Sequence, residues 1–244
     1  MIAQFVDLYS NLTQRSLSPY WLTRASFVFE NLNLQPDDKL LELGCGSGLW
    51  TSFIANHCLH IAAMDTNINV IRRVKNWKTL SNSKSCVLDL VQADGQFAPF
   101  ASGKFSKVLG VDVIEHIPDD QGAVKEILRV LKPGGRVVLT SLLEDRPHYL
   151  HKIEFNDHVR EYDLKSFKAL FENAGLQISK IDYFYYAPSM LARELGLLSY
   201  QIGITRVPGI GFSLGILWRL MCDFERRFPV GKPGGIGISA IKAF

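Results

Sequence analysis

The fold of this chain is decided at positions 39–50, which read KLLELGCGSGLW. Apolar residues suited to a buried strand are followed by glycines at alternate positions, Gly44, Gly46 and Gly48, and then by a helix-compatible segment, 49–56. Glycine tolerates positive φ and lets bare backbone amides approach a ligand closely. A strand, a glycine turn and a helix in this order form the nucleotide site of an α/β sheet. The stretch therefore predicts a site of that kind.

Strand and helix candidates alternate along most of the chain. Helical spacing of apolar residues, as at 121–131 and 164–174, separates the strand candidates. The motif KPGG at 132–135 is expected to end the helix 121–131, so that the next strand starts at Arg136. This alternation predicts an α/β fold with a parallel, doubly wound sheet. The strand candidates are 40–43, 61–65, 85–92, 105–113, 136–140, 177–186 and 237–242.

Composition limits the classes of protein to which the chain can belong. Its 244 residues are 47% hydrophobic and 21% charged, as in a globular protein with a buried core. The net charge of +3 is too small to indicate nucleic acid as the main partner. Four cysteines without a C-x-x-C pair, and no secretory leader, predict a reduced, cytoplasmic setting. The histidines lack companion ligands at familiar zinc spacing, so no metal site is expected.

We expect a single domain over 1–244, built from a central part and two additions. Residues 38–186 and 235–244 supply the core sheet. Residues 1–37 form a helical cover, and 187–234 form an apolar helical insertion between the last two strands, where a tight connection is usual.

The N-terminal cover is rich in aromatic residues and lacks a strand pattern. Its apolar stripe predicts a helix that ends near Asn31 to Asn33 and packs on one edge of the sheet. The alternative is that Tyr9 or Trp21 forms part of a lid over the ligand.

The insertion 187–234 is apolar and basic. Its six positive and three negative charges give the segment the same net charge, +3, as the whole chain. Its uncharged run, 207–218, is shorter than the ~20 residues that span a bilayer, so a transmembrane helix is not expected. Three interpretations stay open: a cap over an apolar substrate, a membrane-surface element, and a dimer face.

Three acidic residues stand where a ligand containing adenosine needs them. Asp65 ends the second strand about 20 residues beyond the glycines, where a carboxylate can accept hydrogen bonds from both ribose hydroxyls. Asp94 follows the third strand and is placed to receive an adenine amino group. Glu42 lies inside the first strand, where it suits a cationic ligand group or the ordering of the glycine loop. Singly, each would more commonly cap a helix. Together they favour a ligand.

The spacing of the glycines argues against a dinucleotide. Dinucleotide sites use G-x-G-x-x-G, whereas here Leu49 occupies the position of the last glycine. The pattern is E-x-G-x-G-x-G, without the lysine of a P-loop, and Glu42 would repel a pyrophosphate.

Several motifs together resemble those of class I S-adenosylmethionine-dependent methyltransferases, in particular the broad group that includes the ubiquinone and menaquinone methyltransferases. The resemblance covers about residues 38–186. It implies S-adenosylmethionine as the cofactor and a Rossmann-like seven-stranded sheet of order 3-2-1-4-5-7-6, with strand 7 antiparallel. The long insertion departs from a minimal member of the family, so the resemblance does not identify the substrate. The motifs are LLELGCGSG (40–48), AMDTN (63–67), QADGQFAPF (92–100), VIEHIPD (113–119) and LKPGGRVVLTS (131–141).

The same resemblance assigns cofactor-binding roles by position. It implies that the methionine part is held at the glycine loop, the ribose at the second strand and the adenine at the third, and that the fourth strand end lines the sulfonium side. The residues concerned are Glu42, Gly44, Cys45, Gly46 and Gly48 for the methionine, Asp65 and Thr66 for the ribose, Asp94 and Gly95 for the adenine, and Val111 and Asp112 for the sulfonium.

The implied reaction is in-line transfer of a methyl group to an oxygen, nitrogen or carbon nucleophile. Such catalysis depends mainly on near-attack geometry, and a hydroxyl acceptor also benefits from a general base. His116 and His158 are the catalytic candidates, since each follows a strand at the ligand-facing end of the sheet. A structural role for either histidine is the alternative. Arg160 and Tyr162 either orient a substrate or fix their loop.

We therefore predict a methyltransferase that acts on a small-molecule acceptor, apolar or lipid/quinone-like, with no nucleic-acid partner. Two alternatives remain: methylation of a soluble sugar or natural-product intermediate, and a non-catalytic S-adenosylmethionine-binding protein. The expected setting is cytoplasmic, with peripheral membrane contact or homodimerisation through 187–234.

Overall fold

The computed structural model describes residues 19–78, 86–147, 149, 158–203 and 210–244. Over these ranges, helices and strands alternate as the sequence predicts. The strands are β1 (Lys39–Leu43), β2 (His60–Asp65), β3 (Val87–Gln92), β4 (Phe105–Val111), β5 (Leu131–Leu142), β6 (Leu176–Phe184) and β7 (Gly235–Lys242). The helices are α1 (Pro19–Leu32), α2 (Leu49–Ile54), α3 (Ile68–Lys78), α4 (Asp120–Val130), α5 (Leu164–Ala174), α6 (Ala187–Gln201) and α7 (Ile210–Arg227), with a 3₁₀ turn at Ile114–His116.

The seven strands form one sheet in the order β3-β2-β1-β4-β5-β7-β6. Strand β1 pairs in parallel with both β2 and β4, and parallel pairing continues to β3 on one side and β5 on the other. The predicted fold class and strand order are confirmed. Between β1 and β4 the order of the strands reverses. In open α/β sheets, ligands bind at the carboxyl ends of the strands beside such a reversal.

Strand β5 begins earlier than predicted. The KPGG motif ends α4 at Val130, but β5 starts at Leu131 rather than at Arg136. Leu131 pairs with Phe105 and Arg136 with Lys107, so the four residues 132–135 stand opposite Ser106 alone. Gly134, at φ 71°, permits this bulge. The prediction of the strand start was wrong because the motif, which marks a helix end, also accommodates the start of a strand.

Local sequence signals explain the boundaries of two helices. Helix α5 begins at a capping box in which the Asp163 carboxylate accepts the Ser166 amide, and it ends at Gly175, whose φ of 86° is left-handed. Helix α4 begins after Asp119, which accepts the Gly122 amide at 2.8 Å. The bounds of α5 agree with the sequence prediction, because both of its ends carry strong capping signals.

The chain divides into two compact units. The sheet unit comprises residues 30–141, 157–181 and 238–244, and the insertion unit comprises 1–29, 142–156 and 182–237, of which only the described residues are discussed. Among the buried residues of the sheet unit are Leu40, Val108, Val137, Ile127 and Phe167. Those of the insertion unit include Phe27, Val28, Phe184, Met190 and Cys222.

Some sequence predictions concern parts of the chain about which little can be said. Tyr9 lies outside the described residues, and for Trp21 only its place in α1 is described. The described part of the chain contains no helix long and apolar enough to cross a membrane. Its four cysteines, Cys45, Cys58, Cys86 and Cys222, are buried and unbridged.

Candidate functional site

A cavity of about 410 Å³ lies in the sheet unit. Its walls follow the carboxyl ends of β1, β2, β3 and β4, so it coincides with the reversal of strand order. Its volume falls in the range of about 300–1,000 Å³ that is typical of ligand pockets. Seven of the predicted cofactor residues line it: Gly44, Gly46, Asp65, Thr66, Asp94, Gly95 and Asp112.

The glycine loop forms one wall of the cavity. Gly44, Gly46 and Gly48 all have positive φ, at 66°, 48° and 75°. A Cβ atom on Gly44 would lie 2.3 Å from Cγ2 of Val113, so only glycine lets the loop pack against that side chain. A Cβ atom on Gly46 would meet nothing closer than the Gly44 carbonyl oxygen at 3.9 Å. The backbone at Gly46 therefore borders open space that a ligand can approach.

Asp65, at the end of β2, orders the glycine loop. Its Oδ2 accepts the amide of Gly46 at 3.0 Å, and its Oδ1 accepts the amide of Asn67 at 2.9 Å. An ionised carboxylate offers about four acceptor positions, so these bonds leave room for two ligand hydroxyls. The geometry therefore allows Asp65 to bind a ribose while it holds the loop.

The wall after β3 combines an acid with apolar side chains. Asp94 accepts the Gln96 amide at 2.9 Å and the Gln96 side-chain amide at 3.0 Å. A Cβ atom on Gly95 would lie 2.8 Å from Ile117 Cδ1 and 2.9 Å from Leu43 Cδ1. Glycine at this position therefore lets two side chains of the cavity lining, Leu43 and Ile117, pack beside Asp94. Apolar walls next to a carboxylate suit an aromatic base whose polar edge points toward Asp94.

Glu42 is enclosed within β1 and is not part of the cavity wall. Its side chain is buried and accepts a hydrogen bond from the Thr51 hydroxyl of α2. Burial raises the pKa of Glu42 to about 8, the Thr51 hydrogen bonds oppose the shift, and the charge of Asp65 adds to it. Glu42 thus ties the strand before the glycine loop to the helix after it.

The other predicted cofactor residues that do not line the cavity are Cys45, Gly48 and Val111. Cys45 is buried, and its amide donates to the Met64 carbonyl at 2.9 Å. Burial raises the pKa of its thiol. Gly48 precedes α2 as its left-handed cap. The cofactor roles given to these three residues and to Glu42 stay predictions.

The end of β4 combines the predicted Asp112 with apolar residues to which sequence reasoning gave no role. Asp112 has a φ of 48°, unusual for a residue other than glycine, and its Oδ1 accepts the Thr140 hydroxyl at 3.1 Å. Val113, Ile117 and Pro118 line the cavity beside it. Their apolar side chains carry no chemical signal in the sequence, and only the fit of Val113 to Gly44 reveals their place.

The two candidate catalytic histidines lie together. His116 lines the cavity, and its ring centroid is 4.8 Å from that of His158, with the rings nearly perpendicular at 87°. Both belong to the sheet unit, and the carboxylate of the fully buried Glu115 is part of the same cluster. The sequence predicted each histidine separately but not their contact, nor the part played by Glu115.

Arg160 and Tyr162 fix the loop that carries His158. Arg160 donates to the carbonyls of Ile117 and Pro118, and its guanidinium lies 3.3 Å from the Asp120 carboxylate. The Tyr162 hydroxyl donates to the same carboxylate at 2.8 Å. Of the two roles considered for Arg160 and Tyr162, these contacts support the fixing of the loop.

Known proteins match this chain over much of its length. A family model described as a methyltransferase domain matches residues 14–181. Phosphoethanolamine N-methyltransferase 1 of Zea mays is 27% identical over 161 residues, 63% of this chain and 30% of that protein. Cycloartenol-C-24-methyltransferase of Arabidopsis thaliana is 36% identical over 110 residues, 44% of this chain and 32% of that protein. The ubiquinone biosynthesis O-methyltransferase of Thiobacillus denitrificans is 29% identical over 112 residues, 46% and 47% of the two chains.

Solved structures share the fold. The [4+2]-cyclase SpnF superposes with a TM-score of 0.66 at 20% identity, over 91% of this chain and 82% of that one. Phosphoethanolamine N-methyltransferase 2 of Haemonchus contortus, in complex with S-adenosyl-L-methionine, gives 0.65 at 16% identity, over 92% and 53%. At such identities the likeness establishes the fold alone. A cyclase and a methyltransferase share it, so the reaction has to be argued from the site.

Proposed function

This chain belongs to the methyltransferase-domain family, within the class I S-adenosylmethionine-dependent methyltransferases, and we propose that it transfers a methyl group to a small, apolar or lipid-like acceptor. The family was expected from the motifs, and the match over 14–181 confirms that expectation. The chain spans about a third of the length of the first curated relatives that it matches, so activity and acceptor are proposals for the protein as a whole.

One observation carries the proposal: at successive strand ends, the cavity at the strand reversal presents groups suited to the methionine part, the ribose and the adenine of S-adenosylmethionine. Asp65 offers acceptors for ribose hydroxyls, and Asp94 stands beside the apolar lining side chains Leu43 and Ile117, which suit adenine. The bare backbone at Gly46 faces open space where the methionine part would approach. The cofactor supplies an electrophilic methyl group on a sulfonium.

His116 is the residue best placed to assist an acceptor that carries a proton. His116 lines the cavity, whereas His158 does not line it and contacts the ring of His116. A neutral imidazole at this position accepts the proton of an acceptor hydroxyl as the methyl group is transferred. His158 would then orient the His116 ring.

The apolar character of the acceptor is argued from the insertion unit and from the relatives. A groove of about 470 Å³ is lined by Tyr149 and by apolar side chains of α6 and α7, among them Leu191, Leu220 and Phe224. The cycloartenol and ubiquinone enzymes are named for apolar molecules, while the phosphoethanolamine enzymes are named for a polar one. The groove favours the apolar class.

We further propose that the insertion unit contacts the surface of a membrane. Its exposed face combines large apolar side chains, including Phe224 and Phe228, with the arginines Arg226 and Arg227 that end α7. Apolar residues beside cations suit an interface with anionic lipids. Homodimerisation through the same surface is the competing proposal.

Cofactor binding is tested by isothermal titration of the protein with S-adenosylmethionine. Wild type should bind one equivalent, and Asp65→Ala should bind at least tenfold more weakly, because it removes the ribose acceptors and releases the Gly46 amide. Asp37→Ala, at an exposed acid outside the cavity, is the matched control and should bind as wild type does. Absence of binding by wild type would reject the cofactor assignment.

The acceptor class is tested by a transfer screen with a methyl-labelled cofactor. Quinols, phenols, sterols and lipids should accept label, whereas sugars and phosphoethanolamine should accept at least tenfold less. Preferential labelling of sugars would favour the soluble-intermediate alternative. Cofactor binding without labelling of any acceptor class would favour a non-catalytic binding protein.

A further inference from the structure

Three side chains that suit a metal ion converge at the rim of the cavity. Glu115 and His116 are neighbours on the 3₁₀ turn after β4, and His158 comes from a loop far along the sequence. One ligand atom from each of the three lies within 4.8 Å of the others. Ligands of a tetrahedral ion at about 2.1 Å stand about 3.4 Å apart, so small side-chain rotations would complete a site.

The scaffold holds the three residues together without relying on their side chains. The backbone amides of Val159 and Arg160 both donate to the Glu115 carbonyl, at 3.0 and 3.4 Å, which fixes the His158 loop against the turn. Arg160 adds bonds to the carbonyls of Ile117 and Pro118. Preorganised positions of this kind favour metal binding, because little conformational freedom is lost on coordination.

From this cluster we infer a binding site for a divalent transition metal ion, with Glu115, His116 and His158 as its protein ligands. Two imidazoles and one carboxylate suit Zn²⁺, Mn²⁺ or Co²⁺ rather than Ca²⁺, which prefers a larger set of oxygen ligands. Three protein ligands leave at least one position open.

The open position gives the ion a role beyond structure. Since His116 lines the cavity, an ion on its ring would stand at the rim of the proposed cofactor pocket. There it could bind an oxygen atom of the acceptor and lower the pKa of a bound hydroxyl, whose proton would then pass to solvent. This role rests on the proposed function, whereas metal binding itself does not. With the ion bound, His116 serves as a ligand and no longer accepts the proton.

The sequence predicted no metal site, because the ligands do not occur at a familiar spacing. Glu115 and His116 are adjacent in the sequence, but the third ligand, His158, comes from a distant loop that reaches them only in the fold. The histidine pair His148 and His151 lies outside the described residues. The expectation of no metal site is thus revised, because His158 meets Glu115 and His116 only in the folded chain.

The test uses the full chain after treatment with a chelator and titrates it with Co²⁺ at pH 7.5. Bound Co²⁺ should give one equivalent and visible absorption bands of a site with nitrogen ligands. Three variants should each bind at least tenfold more weakly: Glu115→Gln, His116→Ala and His158→Gln. His60→Ala, at an exposed histidine of β2, is the control and should titrate as wild type.

Two further measurements distinguish loss of the metal site from misfolding of the variant and from non-specific metal binding. Circular dichroism and S-adenosylmethionine binding should be unchanged in His158→Gln, which shows that the variant is folded whatever its transferase activity. Binding of Co²⁺ by wild type should weaken as the pH is lowered, because protons compete with the metal for its ligands. Binding that is not stoichiometric, or equal binding by wild type and His158→Gln, would overturn the inference.

Discussion

Glu42 illustrates how one buried group can shape the site from outside the cavity wall. It lies in β1 with neighbouring strands on both sides, pairing with Ala63 of β2 and Leu109 of β4. Its carboxyl accepts the Thr51 hydroxyl, which connects the two ends of the glycine loop. Because burial raises its pKa to about 8, the group is mostly protonated at neutral pH.

The raised pKa of Glu42 predicts that stability depends on pH. The pKa of Glu42 in the folded state is above its ordinary value of 4.5, so the folded protein binds the proton more tightly than the unfolded chain. The stabilisation of the folded state by protonated Glu42 is therefore complete below pH 4.5 and is lost as the pH rises to about 8. Between pH 5 and 8, the free energy of unfolding should fall by about 3 kcal/mol more in wild type than in Glu42→Gln.

Urea unfolding at several pH values measures this difference. The comparison with Glu42→Gln cancels the titration of histidines and surface carboxyls, which both proteins share. Glu126→Gln, at a carboxyl paired with Arg129 on the surface of α4, should keep the pH profile of wild type near neutrality. Parallel profiles for wild type and Glu42→Gln would show that the pKa of Glu42 is not raised.

At the scale of secondary-structure elements, Glu225 joins α7 to the start of α6. Its buried carboxylate accepts the Tyr185 amide at 3.1 Å and the Ser189 amide at 2.9 Å. Ser189 lies in the first turn of α6, whose amides have no partners within the helix. A side chain from one helix thus acts as the N-terminal cap of the other.

Glu225→Ala should destabilise the insertion unit by about 3 kcal/mol, because two buried amides lose their acceptor. Glu225→Gln keeps one acceptor oxygen and should cost about half as much. Burial raises the pKa of Glu225, so its contribution falls as the pH rises, and the loss on Ala substitution should be larger at pH 5 than at pH 8.

Hydrogen exchange of the α6 amides, together with urea unfolding, provides the measurement for Glu225. Glu172→Ala, which removes an exposed pair with Lys168 on α5, is the control and should change stability by no more than about 0.5 kcal/mol. If Glu225→Ala exchanged its α6 amides no faster than this control, the proposed cap would be rejected.

The sequence predicts the elements well where one signal acts alone. The glycine loop, Asp65 and the ends of α5 were predicted because each depends on a local pattern with a clear physical cause. The start of β5 was not predicted. The motif KPGG commonly ends a helix, but here it also forms a bulge in β5, and this bulge depends on pairing with β4. The cluster of Glu115, His116 and His158 depends on tertiary contacts. No local pattern could reveal it.

At the scale of the whole molecule, the insertion unit exposes several large apolar side chains. Leu220 is 60% exposed, Phe224 50% and Phe228 57%, and all lie on or just after α7. Arg226 and Arg227 are exposed beside them. Exposed apolar patches of this kind mark interaction sites, and the neighbouring cations favour an anionic lipid surface over an uncharged one.

If this surface binds membranes, the full chain should co-sediment with vesicles that contain phosphatidylglycerol, and less with vesicles of phosphatidylcholine alone. The double variant Leu220→Ser and Phe224→Ser removes two side chains worth about 1.5 kcal/mol each on burial, so partitioning should fall about a hundredfold. Val87→Ser, at a residue of β3 that is 49% exposed, controls for a general loss of apolar surface. Light scattering of the same proteins tests the dimer. A wild-type dimer that becomes a monomer in the double variant, with vesicle partitioning unchanged, would assign the surface to self-association instead.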